Sequence, residues 1–136
     1  KGFYDVCEIS EKPFVCSHSN SRTVFDVKRN ITDGQFAQIV ERGGVCGINF
    51  YSEFLGEKKN IDGIYSHIEY FCALGGEKNI GLGSDFDGIR SMPADCTGAS
   101  YMEKIAENLL MHNYSEKTVK DILWGNFYRV FDEILK

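Results

Sequence analysis

The spacing of apolar positions changes several times along the chain, and each change marks an element. Residues 45–50, VCGINF, are almost unbroken apolar, the pattern of a strand buried on both faces of a parallel sheet. PFVCS (13–17) and NIGLGSD (79–85) read as two further short strands. Between the strands the apolar spacing moves to three and four. Phe36, Ile39 and Val40 give an inner stripe to one helix, and Ile61, Ile64, Ile68 and Phe71 to a second over 61–74. Thr32 is a natural N-cap for the first of these, and Gly43-Gly44 a natural stop. Residues 2–9 read as a short helix end with Phe3, Val6 and Cys7 on one face. From Tyr101 onward the pattern predicts three helices, 101–112, 115–122 and 126–135, broken at Asn113-Tyr114 and at Gly125. Trp124, Phe127, Val130 and Phe131 read as core.

Strands that alternate with amphipathic helices predict an α/β fold with a parallel sheet and right-handed crossovers. Three strands are few for a sheet buried on both faces. Three βα units followed by closing helices resemble the last part of a barrel or wound sheet, a single partial domain over residues 1–136. The loop at 86–100 is long for a compact domain, which marks it as a candidate functional segment.

Composition narrows the partners. The chain has 136 residues, 43% hydrophobic and 26% charged, with a formal net charge of −5. With that charge and no basic patch, neither nucleic acid nor an anionic membrane is the expected main partner. No run of about 18 apolar residues is present to span a bilayer, and no stretch reads as a signal peptide. The five cysteines, at 7, 16, 46, 72 and 96, are odd in number and lack a CxxC spacing. Neither a disulfide framework nor a structural zinc knot is expected. Cys16 and Cys46 read as small buried hydrophobes, and the set fits a reduced, cytoplasmic setting. The first residue is Lys1, so the chain is expected to begin partway through a longer protein.

Candidate chemistry follows from strand polarity. In parallel α/β folds the reactive groups gather at the carboxyl ends of the strands. Here those ends are Ser17-His18, Asn49-Phe50-Tyr51 and Ser84-Asp85-Phe86-Asp87, with Arg29 on the loop after the first strand. His18 can bind metal or move a proton, Asp85 can do either, and Arg29 offers a fork for a carboxylate or phosphate. Each also has a plain structural reading. A lone histidine can be a hydrogen-bonded strut, Asp-Phe-Asp-Gly is good turn chemistry, and Arg29 beside Lys28 can be a solvated charge. The glycines of 81–88 also admit a phosphate loop, although neither GxGxxG nor GxxxxGK is present. His67 and His112 read as structural.

Six stretches, taken in order, carry a resemblance: PFVCSHSNSR, RNITDGQ, GGVCGINF, HIEYFCALGG, IGLGSDFDGI and GNFYRVF. At similar spacing they resemble the membrane (renal) dipeptidase family of zinc peptidases, over nearly the whole chain. The resemblance implies a metal-dependent (β/α)8 TIM-barrel hydrolase of which this chain is the C-terminal part, with two zinc ions at the carboxyl ends of the strands. It implies His18 as a histidine ligand to one zinc and Arg29 as the grip on the dipeptide's C-terminal carboxylate. It implies Asp85 as the catalytic aspartate handling protons between the bridging water and the leaving amine. Tyr51 and Phe54, just past the second strand, are candidate pocket walls.

The family's other ligands, a His-x-Asp pair, a bridging glutamate and a second histidine, lie upstream in the family pattern and have no counterpart here. Lys1 falls just after the place of that histidine. The expectation is therefore an enzyme part: a dipeptide or similar small molecule as substrate of the intact protein, and no hydrolysis by this chain alone. Both sheet edges are expected to be open, inviting self-association or pairing with the N-terminal barrel half. The reading from a different class is a non-catalytic α/β binding or interaction module that keeps the fold without the metal chemistry.

Overall fold

The computed structural model describes residues 2–136. Three strands, β1 (Val15–Cys16), β2 (Val45–Asn49) and β3 (Ile80–Ser84), form one parallel sheet in the order β1-β2-β3. β2 is central and all five of its residues are buried, which is why it reads as continuous apolar sequence. β1 and β3 each have one strand partner among the described residues.

Helix α1 (Gly2–Ile9) precedes β1, α2 (Asp33–Glu41) joins β1 to β2, and α3 (Ile61–Ala73) joins β2 to β3. The start of α2 is set locally. The Thr32 hydroxyl accepts from the Gln35 amide, and the Gln35 side chain accepts from the Thr32 amide, closing a capping box. Its stop is set by Gly43 in the left-handed region at φ +66°. α3 is capped by Asn60, whose side chain accepts from the Gly63 amide. Ile61, Ile64, Ile68 and Phe71 of α3 are all buried. Phe71 stacks on Phe36 of α2 at 4.0 Å between ring centroids. Each such buried side chain contributes roughly 1.5–3 kcal/mol relative to exposure. On α1, Cys7 is buried and Phe3 meets Phe14 edge-on at 5.8 Å, but Val6 is exposed. The face is therefore narrower than its spacing suggests.

Two elements depart from the sequence pattern. β1 spans only Val15–Cys16, not 13–17, and is half-buried. Past Cys16 the Ser17 carbonyl comes over the glycines at 47 and 83, where any Cβ would collide with it. The next ladder contact found is the Ser19 amide donating to the Gly47 carbonyl at 2.8 Å. Nor is the last helical stretch broken at Gly125. α4 (Met102–Met111) ends before Asn113, at φ +64°, but α5 (Glu116–Lys120) runs through a π turn (Asp121–Gly125) into α6 (Asn126–Leu135). Gly125 keeps helical angles, because burial of Ile122, Asn126 and Val130 around it outweighs the roughly 1 kcal/mol a helical glycine costs. Trp124 and Phe131, read as core, are exposed at 51% and 47%.

α6 closes the amino ends of the strands. Asn126 donates to the carbonyls of Ile80 (2.7 Å) and Glu77 (3.0 Å). Arg129 donates to those of Gly43 (2.7 Å) and Lys78 (2.8 Å). Its Phe127 ring lies against Gly81, where a side chain would collide with it. Among the described residues no helix is long and apolar enough to cross a membrane.

Candidate active site

At the carboxyl ends of the strands the backbone leaves regular geometry. The β2–β3 register shifts after Ile48–Leu82, so that Asn49 opposes Ser84 and Gly83 is left over. A Cβ at Gly83 would meet the Ser17 carbonyl and lie 3.0 Å from Cα and Cβ of His18. The missing side chain lets the end of β1 reach across β2 toward β3. Ser84 and Asp85 then both take positive φ, +36° and +71°. Such backbone costs of order 1 kcal/mol or more in residues other than glycine, and surrounding contacts must hold it. The Phe50 amide donates to the Ser84 carbonyl at 3.0 Å, and the Gly88 amide to the Asp85 carbonyl at 2.9 Å.

These distortions bring the three strand ends together. His18 Nε2 lies 3.9 Å from Asp85 Oδ2, and its Nδ1 is 2.8 Å from the Ser17 hydroxyl. Asn49 donates to Asp85 Oδ2 at 3.3 Å, while its own Oδ1 accepts from the Tyr51 amide at 2.6 Å. Asn20, fully buried, accepts from the Asn49 amide (2.8 Å) and donates to the Asn49 carbonyl (3.0 Å). Asn20, Asn49 and Asp85 thus form one chain of hydrogen bonds across the ends of β1, β2 and β3.

Arg29 is carried by a closed loop. A parallel bridge between Ser21 and Ile31 seals its base. Within the loop Arg22 donates to the carbonyls of Val27 (3.2 Å) and Lys28 (2.7 Å), immediately before Arg29. The buried Asn30 amide donates to Phe25 (2.9 Å) and Phe54 (3.1 Å) carbonyls, tying the loop to the 3-10 turn Ser52–Phe54. His67 of α3, read from sequence as structural, is fully buried, and its Nδ1 accepts from the Ser21 amide at 3.2 Å. Burial pushes its pKa down to about 4, so it is a neutral strut. His112, also read as structural, caps α4 and stacks on Tyr65 at 3.8 Å.

Around this frame lies a cavity of about 310 Å3. Arg29, Tyr51, Phe54 and Asp85 line it, and the segment Gly88-Ile89-Arg90 completes it. Tyr51 and Phe54 meet edge-on at 4.8 Å and form an aromatic wall. Four of the five residues singled out in the sequence therefore share one cavity. His18 stands beside Asp85 rather than in the lining. Asn20, Asn30 and Arg90 were not singled out. Their signals were weak: two asparagines flanking the loop that bears Arg29, and an arginine five residues past Asp85.

Beneath His18, Cys16 and Cys46 are register partners. Cys46 is fully buried as expected, but Cys16 is half-buried. A hydrogen bond from Cys46 lowers the Cys16 pKa to about 7, assisted by Ser19 and the Arg29 charge and opposed by burial. The same contact and full burial push Cys46 up.

As donors for a metal, the described residues offer one imidazole at His18 and one carboxylate at Asp85. No group of three or more His, Cys, Asp or Glu side chains is placed among them to hold an ion. An acid, an imidazole and an arginine thus gather in and beside a small cavity at the strand ends of a parallel α/β sheet, where such folds place their reactive groups.

The pattern of the membrane dipeptidase family, peptidase family M19, matches residues 1–136. This chain belongs to that family. A protein of Klebsiella pneumoniae, described as an uncharacterized protein in the pqqA 5' region, is 32% identical over 98% of this chain and 51% of its own length. Human dipeptidase 3 is 29% identical over 96% of this chain and 27% of its own. Among solved structures, dipeptidase AC, a metallo peptidase of family M19, superposes with a TM-score of 0.91 at 31% identity, over 98% of this chain and 41% of that one. A metallo peptidase from Rhodobacter sphaeroides, liganded with a phosphinate mimic of the dipeptide L-Ala-D-Ala, also gives 0.91 at 31%, over 98% and 39%. The chain thus spans about half the length of its Klebsiella relative or less of the others. Its α/β fold is the one expected of the C-terminal part of a (β/α)8 hydrolase barrel.

Proposed function

We propose that residues 1–136 form a single partial domain, the C-terminal part of a zinc-dependent dipeptidase, and that the intact protein hydrolyses dipeptides or similar small substrates. The observation that carries this reading is the shared cavity. Arg29, Tyr51, Phe54 and Asp85 meet around it, with the His18 imidazole 3.9 Å from Asp85, in a chain of the membrane dipeptidase family.

His18 fits the role of one zinc ligand. Its ring is half-buried, one nitrogen is held by Ser17, and the other faces Asp85. One imidazole and one carboxylate do not complete a four-coordinate zinc site, still less a binuclear one. In the proposal the remaining ligands come from residues outside these 136. When bound, a zinc pair supplies the activated water. The chain's own residues bind and move protons. Arg29 grips the substrate's terminal carboxylate through its fork. Tyr51 and Phe54 wall the pocket. Asp85, held by Asn49, carries the proton from the attacking water to the leaving amine.

The chain by itself is proposed to be inactive. β1 and β3 leave edges to be covered, by self-association or by the rest of a barrel. A cytoplasmic setting is proposed with it, since all five thiols are free in the structure.

The test compares this 136-residue chain with the longest polypeptide that contains it. Zinc content, dipeptidase rate and mass by light scattering are measured for both. About two zincs per chain and dipeptide cleavage in the longer form alone support the proposal. A clear rate in the short chain removes the claim of inactivity, and a monodisperse short-chain monomer removes self-association. If the longer form binds no zinc and cleaves no dipeptide, the non-catalytic binding module is the correct reading.

A further inference from the structure

The cavity has a second arginine in its lining. Arg29 reaches it from the loop after β1, and Arg90 from the loop after β3. The ion pairs among the described residues are His18–Asp85, Arg22–Asp26, Lys59–Glu53, Lys117–Asp121 and Lys136–Asp132. Neither Arg29 nor Arg90 is in one. Two arginines and one carboxylate, that of Asp85, thus share the lining, and His18 and Asn49 already engage that carboxylate.

Arg90 is not a charge on a free loop. Its neighbour Ser91 is anchored to the turn that bears the aromatic wall. The Ser52 amide and hydroxyl donate to the Ser91 carbonyl at 3.1 and 3.2 Å. Three residues further on, the Ala94 amide donates to the Lys59 carbonyl at 2.9 Å, and the Asp95 carboxylate accepts from the Ile61 amide at 2.8 Å. These bonds fix the backbone just past Arg90, itself an exposed residue, and keep it in the same cavity lining as Tyr51 and Phe54. A dipeptide with a neutral second residue has one carboxylate to offer, and Arg29 takes it. The second fork then lacks an anion, although its geometry suits bidentate contact with a carboxylate.

We infer that Arg90 is a specificity-determining residue of this cavity, holding the side-chain carboxylate of dipeptides whose second residue is aspartate or glutamate. The inference rests on the dipeptidase reading above. It adds the substrate class: two carboxylates on one residue, one for each arginine.

The test uses the longest polypeptide containing this chain, loaded with zinc. Ala-Asp and the isosteric Ala-Asn are compared with both enantiomers of the second residue. A charge-assisted contact predicts kcat/KM for Ala-Asp higher by about tenfold or more. Arg90→Gln brings the ratio toward one, and Arg90→Lys restores part of it. A readout independent of turnover is calorimetric titration of free aspartate and free asparagine into the metal-free protein, where aspartate binds more tightly and Arg90→Gln removes the difference. A ratio unchanged by Arg90→Gln, or a preference for the asparagine dipeptide, overturns the role of Arg90 and leaves the dipeptidase reading standing. If neither dipeptide is cleaved, the dipeptidase reading fails and the titration alone decides. A difference between aspartate and asparagine that Arg90→Gln abolishes supports the anion site, and equal binding overturns it.

Discussion

The two ends of the same three strands use polar side chains in opposite ways. At the amino ends Asn126 and Arg129 donate to the carbonyls of Gly43, Glu77, Lys78 and Ile80, and their hydrogen-bonding capacity goes into closing the backbone. At the carboxyl ends Asn20 and Asn30 also donate to backbone carbonyls, but Asn49 donates to the Asp85 carboxylate. There Asp85, Arg29 and Arg90 line a cavity. The comparison teaches that charge alone does not mark a site. A buried amide beside a charged group that it positions without neutralising is the more informative sign. It also predicts that changes at the base cost stability, while changes at the rim cost chemistry.

Several substitutions sharpen or break that division, tested in the longest polypeptide carrying this chain. The largest effect is expected at the rim. Asp85→Asn keeps the shape and removes the titratable oxygen, so kcat falls about 10²–10⁴-fold, with little change in a urea midpoint. A loss of stability as large as the loss of rate would make Asp85 a structural turn residue instead.

His67 is expected to cross the division, because it supports the rim from within the core. Its folded pKa, about 4, lies below the ordinary value of 6.5. Between those values the unfolded chain binds more protons than the folded one. The stabilisation is complete above pH 6.5 and is lost as pH falls toward 4, by roughly 3 kcal/mol in all. His67→Gln should flatten this part of the stability-versus-pH curve, as followed by urea unfolding. An unchanged slope would mean that His67 is protonated or exposed in solution.

At the base, Asn126→Ala leaves the carbonyls of Glu77 and Ile80 without their donor and should cost about 2 kcal/mol. KM should stay as it was, and a changed KM would break the comparison. Arg29→Gln is the smallest of the four. KM for a dipeptide should rise about tenfold while thermal stability holds. Equal KM values would show that the carboxylate is gripped elsewhere.

Much of the fold was legible because its causes are local. The Thr32 cap, the Gly43 stop, the continuous burial of β2 and the α3 stripe each depend on residues a few positions apart. The loop 86–100 was marked only by its length, and its anchors at Ser52, Lys59 and Ile61 come from another connection. The exposure of Trp124 and Phe131 could not be read from spacing, since an amphipathic stripe looks the same whether or not something covers it.

The order of elements and the strand polarity are written in the chain, and with them the residues that come to the carboxyl rim: His18, Arg29, Tyr51, Phe54 and Asp85. Hydrophobic period and capping chemistry act along the chain, so they are visible in it. Packing between distant segments stops β1 at Cys16, where the Ser17 carbonyl crosses the glycines at 47 and 83. The same packing turned Ser84 and Asp85 into positive φ and brought Arg90 into one cavity lining with Arg29. Those outcomes depend on close approach between segments some thirty to sixty residues apart, where removing or adding one Cβ decides what can meet.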